Sequence, residues 1–175
     1  MMAGFLEPRK VLDELELKED MIAAEFGCGS GTFTILLAKR LKEGKVYGLD
    51  VQEEPLSALR GRARAEGISN IETIRCNLEE EGGSTLPDDF LDLVLLPNVL
   101  FQAEDKKAML EEAVRVLKKG GEMLVIDWKK DSSFGPKEGK ISQKEVKEIV
   151  RELGLKLKKE FEAGSFHYGL LFEKI

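Results

Sequence analysis

Three glycines at alternate positions, Gly27, Gly29 and Gly31, separate an apolar segment from a segment with helical periodicity. Glycine reaches positive φ without steric cost and has no Cβ. This spacing therefore predicts a tight turn whose backbone N–H groups can approach a polar ligand at a helix N-terminus. The next apolar segment ends in an acidic residue, Asp50. A carboxylate at that strand tip is placed to accept hydrogen bonds from a ribose diol. Together the two features predict a strand–turn–helix unit that binds a nucleoside-containing cofactor.

Short apolar runs alternate along the chain with segments of helical periodicity, a pattern typical of an α/β fold with a largely parallel sheet. The predicted strands are residues 21–26, 46–49, 71–75, 91–96, 122–127, 155–161 and 166–173. The predicted helices are one opened by Pro8, followed by residues 32–41, 53–66, 104–117 and 142–153. Ser142 and Glu145 have the spacing of a capping box at the start of the last helix. Residues 79–89 and 131–140 are polar and contain glycine and proline, which predicts loops.

The last two predicted strands are joined by only four residues, 162–165. A parallel connection needs a crossover of about a dozen residues or more, so these two strands must pair antiparallel. The chain has no internal repeat and no clear linker. We therefore expect residues 1–175 to form a single domain, large enough to bury a substantial core without metals or disulfides.

Composition argues against several kinds of partner and site. The formal net charge is −6, which disfavours a broad nucleic-acid-binding surface. The longest apolar run, residues 93–101, is interrupted by Pro97 and Asn98 and is too short to span a membrane, so we expect a soluble, cytoplasmic protein. The single histidine and the two cysteines, Cys28 and Cys76, lack metal-ligand spacing. No metal site is expected, and both cysteines are interpreted as small buried residues.

The chain resembles class I S-adenosylmethionine (SAM)-dependent methyltransferases of the small UbiE-like type over residues 5–175. The resemblance rests on the glycine turn that follows Glu25, on Asp50, and on three further segments. These are residues 76–78 (CNL), 92–96 (DLVLL) and 112–121 (EAVRVLKKGG). It implies a Rossmann-like, doubly wound seven-stranded sheet with strand order 3-2-1-4-5-7-6 and strand 7 antiparallel. A dinucleotide-binding fold is disfavoured, because its G-x-G-x-x-G/A fingerprint would need glycine or alanine where Thr32 stands.

The same resemblance implies SAM as the cofactor and assigns its contacts to ten residues. These are Glu25, Gly27, Cys28, Gly29, Gly31, Asp50, Val51, Asn77, Leu78 and Asn98. Asp50 would bind the ribose hydroxyls, and Val51 would pack against the adenine. Asn77 would accept a hydrogen bond from the adenine amine, although a plain Asx turn is an alternative. Asn98 would contact the cofactor or the acceptor, or would serve only the loop.

Methyl transfer from a sulfonium is an in-line displacement, for which the protein supplies mainly alignment and exclusion of water. A base is needed only if the acceptor loses a proton, and the candidates are His167, Tyr168 and Asp127, with Phe101 and Trp128 as pocket walls. For His167, the alternative is a histidine on the strand surface.

Residues 96–99 (LPNV) differ from the N-P-P-aromatic loop with which similar enzymes methylate the exocyclic amine of adenine or the side chain of glutamine. We therefore expect a small-molecule acceptor. The alternative function is a SAM-binding regulatory or partner module without catalysis. The sequence indicates neither the acceptor atom nor an oligomeric state.

Overall fold

A single seven-stranded sheet organises residues 4–175, the part of the chain that the computed structural model describes. The strands are β1 (Ile22–Phe26), β2 (Lys45–Asp50), β3 (Ile71–Arg75), β4 (Leu91–Pro97), β5 (Leu117–Trp128), β6 (Leu155–Glu162) and β7 (His167–Lys174). The helices are α1 (Pro8–Leu12), α2 (Thr32–Arg40), α3 (Glu53–Ala65), α4 (Lys106–Val116) and α5 (Gln143–Glu152), with a short 3-10 helix at Leu100–Gln102. None of the helices within residues 4–175 combines the length and the apolar character needed to cross a bilayer.

The strand order is β3-β2-β1-β4-β5-β7-β6, and β7 runs antiparallel to both β5 and β6. This confirms the predicted order and the antiparallel terminal hairpin. The carboxyl ends of β1 to β5 therefore meet at one edge of the sheet, where ligands bind in open α/β sheets. Since Trp128 pairs with His167, the start of β7 lies at that same edge.

Apolar side chains cover both faces of the sheet, because its central strand alternates between two cores. Val94 and Leu96 of β4 pack in the larger core, together with α4 and α5. Leu93 and Leu95 pack in the second core, together with α1 and α2. A strand that is buried on both faces consists of a nearly continuous run of apolar residues, and this pattern predicted β4.

The boundary between α4 and β5 differs from the prediction. α4 ends at Val116, and β5 begins at once with Leu117, five residues before the predicted start at residue 122. Leu117 pairs with Leu91, and the register then shifts before Leu93 pairs with Glu122. Gly120 takes a φ of 76° within this irregular stretch. Gly120 and Gly121 thus lie within an irregular stretch of the strand, not in the connection between the helix and the strand.

The start of α5 agrees with the prediction. The Ser142 side chain accepts a hydrogen bond from the Glu145 N–H, and the Glu145 carboxylate accepts one from the Ser142 N–H. This reciprocal pair satisfies two N–H groups that the first turn of a helix leaves without partners, so the predicted capping box is confirmed.

A buried carboxyl group joins β1 to α2, on either side of the glycine turn. Glu25 is 3% exposed and accepts a hydrogen bond of 2.5 Å from the Thr34 hydroxyl. Burial raises the pKa of Glu25 to about 8, against the lowering effect of Thr34. The carboxyl group is therefore mostly neutral at pH 7.

The raised pKa of Glu25 makes the stability of the fold depend on pH. The native state holds a proton that the unfolded state releases near pH 4.5, so the contribution of Glu25 falls as pH rises from about 4.5 towards 8. Glu25→Gln, which is always neutral, should gain free energy of unfolding relative to the parent by roughly 1 kcal/mol per pH unit in that window. Urea unfolding at pH 5.5, 6.5 and 7.5 measures this difference. The exposed Glu54→Gln is the control, and a pH-independent difference for Glu25→Gln would contradict the prediction.

Candidate active site

An open cleft of about 460 Å³ lies at the carboxyl edge of β1, β2 and β3. It is lined by six of the ten residues predicted to contact the cofactor: Gly27, Gly29, Asp50, Val51, Asn77 and Leu78. These residues follow three neighbouring strands, so the strand order β3-β2-β1 brings them together.

The glycines of the turn meet different surroundings. A Cβ on Gly27 would lie 2.4 Å from Val99 Cγ2, so this position must be glycine for packing reasons. Gly29 has a φ of 52°, and a Cβ there would meet nothing within 4 Å. Gly29 therefore leaves open space on the cleft side, where a ligand can approach the backbone directly.

Two backbone donors orient the Asp50 carboxylate. Its Oδ2 accepts the Gly29 N–H at 3.0 Å, and its Oδ1 accepts the Gln52 N–H at 3.0 Å. These bonds connect the end of β2 to the glycine turn. Because each carboxylate oxygen can accept more than one hydrogen bond, Asp50 keeps acceptor capacity for a ligand diol.

The other cleft walls combine an apolar surface with a tight turn. Val51 is 59% exposed and lines the cleft, so it offers an apolar surface to a ligand. On the β3 side, Asn77 Oδ1 accepts the Glu79 N–H at 3.0 Å, and Asn77 Nδ2 donates to Glu80. The Asx turn proposed as an alternative role for Asn77 is therefore present. Leu78 is buried in the larger core at the base of this wall.

Four predicted contact residues do not line the cleft. Glu25 lies buried beneath the turn, and Gly31 packs against Leu59 at the start of α2. The buried Cys28 thiol lies against Gly48, and burial together with the nearby Glu25 raises its pKa above the ordinary range. The burial predicted for Cys28 is thus confirmed. Cys76, by contrast, is only half-buried and lines the cleft, so the burial predicted for it is wrong.

Asn98 is the fourth of these residues. It follows β4 with a φ of 54° and donates its N–H to Ile126 at 2.8 Å. Its side-chain oxygen is buried and has no hydrogen-bond partner among the described residues. The left-handed conformation turns the chain from β4 into the 3-10 helix, whose residues form part of the cleft wall.

Two of the three catalytic candidates are buried side chains with protein partners. Asp127 is fully buried and accepts the backbone N–H groups of Phe101 and Trp128, at 3.3 and 2.8 Å. Burial raises the pKa of Asp127 to about 6. The Tyr168 hydroxyl donates to the Ile141 carbonyl at 2.7 Å, and burial raises its pKa above the ordinary range. Neither side chain lines the cleft.

His167 does not lie on the strand surface, so that alternative is wrong. It is 4% exposed and stacks on Trp128, with ring centroids 4.1 Å apart. The reason is that β7 is covered on both faces, so that its residues from 167 to 172 are all buried. Neither ring nitrogen has a hydrogen-bond partner among residues 4–175. Burial and the nearby Lys129 lower the pKa of His167 to about 4, so the imidazole is neutral at pH 7.

Sequence reasoning missed the part of the cleft that follows β4. Val99, Gln102 and Ala103, around the 3-10 helix, line the cleft, as does Met109 of α4. The predictions for this segment had named only the neighbouring Asn98 and Phe101. Phe101 and Trp128, predicted as pocket walls, do not line this cleft. Residues 4–175 contain no cluster of three or more histidine, cysteine or acidic side chains suited to a metal ion.

Comparison with known proteins agrees with this geometry. A family model described as "Methyltransferase domain" matches residues 17–167. The demethylmenaquinone methyltransferase of Bacillus subtilis is 33% identical over 129 residues, which cover 72% of this chain and 53% of that protein. The Geobacillus stearothermophilus enzyme of the same name is 30% identical over 128 residues, covering 73% and 53%. The chain thus spans about half the length of these curated relatives.

Among solved structures, a SAM-dependent methyltransferase from Aquifex aeolicus superimposes with a TM-score of 0.86 at 29% identity. The match covers 97% of this chain and 90% of that one. With the family model matching most of its length and the strand order 3-2-1-4-5-7-6, the chain belongs to the methyltransferase domain family and has its Rossmann-like α/β fold.

Proposed function

We propose that this chain is a SAM-dependent methyltransferase that moves a methyl group from SAM to a small-molecule acceptor by in-line displacement. The proposal depends on one observation, that Gly29 and Asp50 line the same cleft. A Cβ on Gly29 would meet nothing within 4 Å, and the Gly29 N–H orients the Asp50 carboxylate. Family membership and the names of the relatives support the same reaction. We further propose that the chain works as one domain built on its single sheet.

The cleft residues fit the parts of an adenosyl group. Asp50 would accept hydrogen bonds from the two ribose hydroxyls, each charge-assisted bond contributing roughly 1.5–3 kcal/mol. The exposed Val51 side chain would pack against the adenine, and Asn77 would hold the polar edge of the ring from the opposite wall. Gly29 would allow the amino-acid portion of SAM to approach the backbone of the turn without meeting a Cβ.

Two predicted residues outside the cleft, Asp127 and His167, would have different roles. Asp127 accepts the N–H of Phe101, so it would hold the 3-10 helix that walls the cleft. The two ring nitrogens of His167 have no partner among the described residues. His167 would serve as a base only for an acceptor that reaches these nitrogens beside Trp128, because the imidazole is buried outside the cleft and its lowered pKa, about 4, makes it a weak base. Bound SAM supplies an electrophilic methyl group. The role of the protein would be to align the acceptor with that group and to exclude water.

A small-molecule acceptor fits the chain better than a nucleic acid, because the formal net charge is −6. We also propose a cytoplasmic location. The two free cysteines support a reducing compartment, in which disulfides are rare.

One observation favours the second candidate, a SAM-binding module without catalysis. None of the three catalytic candidates lines the cleft in residues 4–175. Turnover separates the two functions: methyl transfer from labelled SAM to any member of a panel of phenols, amines, thiols and carboxylates would exclude the binding module.

The binding step can be tested without knowing the acceptor. S-adenosylhomocysteine at about 100 times its dissociation constant should stabilise the protein by about 2.7 kcal/mol and raise its melting temperature. Thermal unfolding followed by circular dichroism measures the shift, and NADH at the same concentration is the control. A shift with NADH and none with S-adenosylhomocysteine would overturn the proposed function.

Gly29 should be essential for cofactor binding but not for folding. In Gly29→Ala the new Cβ would project into the open space of the cleft, and alanine at a φ of 52° costs about 1 kcal/mol of stability. The matched control is Gly67→Ala, because Gly67 has a φ of 68°, has no neighbour within 4 Å of a Cβ and lies outside the cleft. Both variants should lose similar stability, and only Gly29→Ala should lose S-adenosylhomocysteine binding in calorimetry. Equal affinities in the two variants would contradict the proposed site.

Asp50→Asn should weaken S-adenosylhomocysteine binding by at least about tenfold, which corresponds to 1.4 kcal/mol. The amide can accept on one atom only, so it cannot hold Gly29 N–H, Gln52 N–H and a ribose diol as the carboxylate can. Titration calorimetry measures the dissociation constant, and the exposed Asp20→Asn is the control for a lost surface charge. Unchanged affinity in Asp50→Asn would remove the ribose contact from the proposal.

A further inference from the structure

The segment after β3, residues 79–89, is hydrogen-bonded to a buried carboxylate of α4. Glu112 is 3% exposed and accepts three hydrogen bonds from this segment. Its Oε2 accepts the Gly82 N–H at 3.0 Å, and its Oε1 accepts the Ser84 N–H at 3.1 Å and the Ser84 hydroxyl at 2.6 Å. A side chain of α4 thus replaces the regular backbone partners that this segment lacks.

Arg115, one helical turn further along α4, completes the arrangement. Its guanidinium donates to both oxygens of Glu112, at 2.9 and 2.6 Å. It also donates to the Leu86 carbonyl at 2.9 Å and to Asp88 at 2.5 Å. A planar guanidinium can make all these bonds at once, which an ammonium group cannot. Both residues belong to the segment 112–121, and neither lines the cleft.

The backbone of the held segment is strained. Thr85 has a φ of 62° and Asp89 a φ of 49°. A β-branched residue rarely adopts this left-handed conformation, and it persists only where the surrounding contacts determine it. The bonds from Glu112 and Arg115 to the neighbouring Ser84 and Leu86 are such contacts.

A close contact links the held segment to the cleft wall. Gly83 lies between the two backbone groups that Glu112 binds, and it packs directly against Asn77: a Cβ on Gly83 would come within 1.9 Å of the Asn77 carbonyl oxygen. The Glu80 N–H donates to the Asn77 carbonyl at 3.4 Å, and the Gly83 N–H donates to the Glu80 carbonyl at 2.9 Å. Two successive turns and the close packing of Gly83 thus connect the held segment to Asn77, which lines the cleft.

We infer that Glu112 and Arg115 are positioning residues for the nucleoside end of the cofactor: they hold residues 82–86 so that Asn77 and Leu78 keep their places in the cleft wall. The inference rests on the proposed function, because it concerns the same cleft. Neither residue would touch the ligand, because neither lines the cleft. Their effect on binding passes through Gly83 and the turn at Asn77.

The test compares variants of this carboxylate–arginine pair with a variant of a carboxylate–lysine pair elsewhere in the sheet. Glu112→Gln and Arg115→Lys should each bind S-adenosylhomocysteine about tenfold more weakly than the parent in titration calorimetry at 25 °C. The matched control is Asp92→Asn. Asp92 accepts the Ile22 N–H at 2.8 Å and Lys118 at 3.0 Å, at the edge of the sheet opposite the cleft. This variant loses a carboxylate that pairs with a cation and accepts a backbone N–H, as Glu112 does, but away from the cleft, and it should bind with the affinity of the parent.

Hydrogen exchange distinguishes positioning from a general loss of stability. In Glu112→Gln the amides of residues 79–89 should exchange faster than in the parent, while those of β1 and β2 keep their protection. If Glu112→Gln does not fold, Ser84→Ala should still weaken binding about threefold. This variant removes the 2.6 Å bond to Glu112 and the two longer bonds that the Ser84 hydroxyl accepts from the Leu86 N–H and from Arg115.

The outcomes separate this inference from the proposed function. If the parent does not bind S-adenosylhomocysteine, the proposed function fails and this inference fails with it. If the parent binds, and the folded Glu112→Gln, Arg115→Lys and Ser84→Ala variants bind equally well, the inference alone is overturned. The same result follows if Asp92→Asn weakens binding as much as Glu112→Gln does.

Discussion

The hydrogen bond from the Gly29 N–H to the Asp50 carboxylate is the contact on which the candidate site depends. It joins the turn after β1 to the end of β2, and it can form only because these strands are adjacent and parallel, with Phe26 opposite Leu49. The glycine turn has high conformational entropy in the unfolded chain, so a fixed acceptor is needed to hold one conformation. The same carboxylate oxygens remain accessible from the cleft, so one residue both shapes the turn and offers acceptors to a ligand.

Much of the fold could be predicted because its signals are local. Apolar runs, helical periodicity and the capping box at Ser142 depend on residues close in sequence, and the four-residue connection forces β6 and β7 to pair antiparallel. The order of the strands came from the family resemblance. The start of β5 could not be predicted, because the pairing of Leu117 with Leu91 and the following shift in register depend on hydrogen bonds between distant segments. A pattern read along one segment contains no information about such a partner.

The site residues that lie at strand ends could be predicted from the sequence. Those whose position depends on tertiary packing could not. Gly29, Asp50 and Asn77 follow strands directly, so their meeting follows from the topology. The contribution of the 3-10 helix depends on the left-handed turn at Asn98, and the burial of His167 depends on its stacking with Trp128 across the sheet. Both are tertiary contacts. The segment 112–121 was noticed in the sequence, but the loop that Glu112 holds is visible only in the structure.

Two buried glutamates support opposite walls of the cleft, and their partners give them opposite charge states. Glu25 and Glu112 are each 3% exposed, so burial disfavours the charged form of both. For Glu25, burial outweighs the lowering effect of Thr34, and the pKa rises to about 8. For Glu112, bonds from Arg115 and Ser84 outweigh the effect of burial and hold the pKa at about 2. The stabilising contribution of Glu25 therefore decreases as pH rises from 4.5 towards 8. That of Glu112 is fully present above pH 4.5 and is lost only as pH falls towards 2. At neutral pH the wall behind Asn77 is thus fixed by an ion pair, while the wall behind the glycine turn depends on a single neutral carboxyl group.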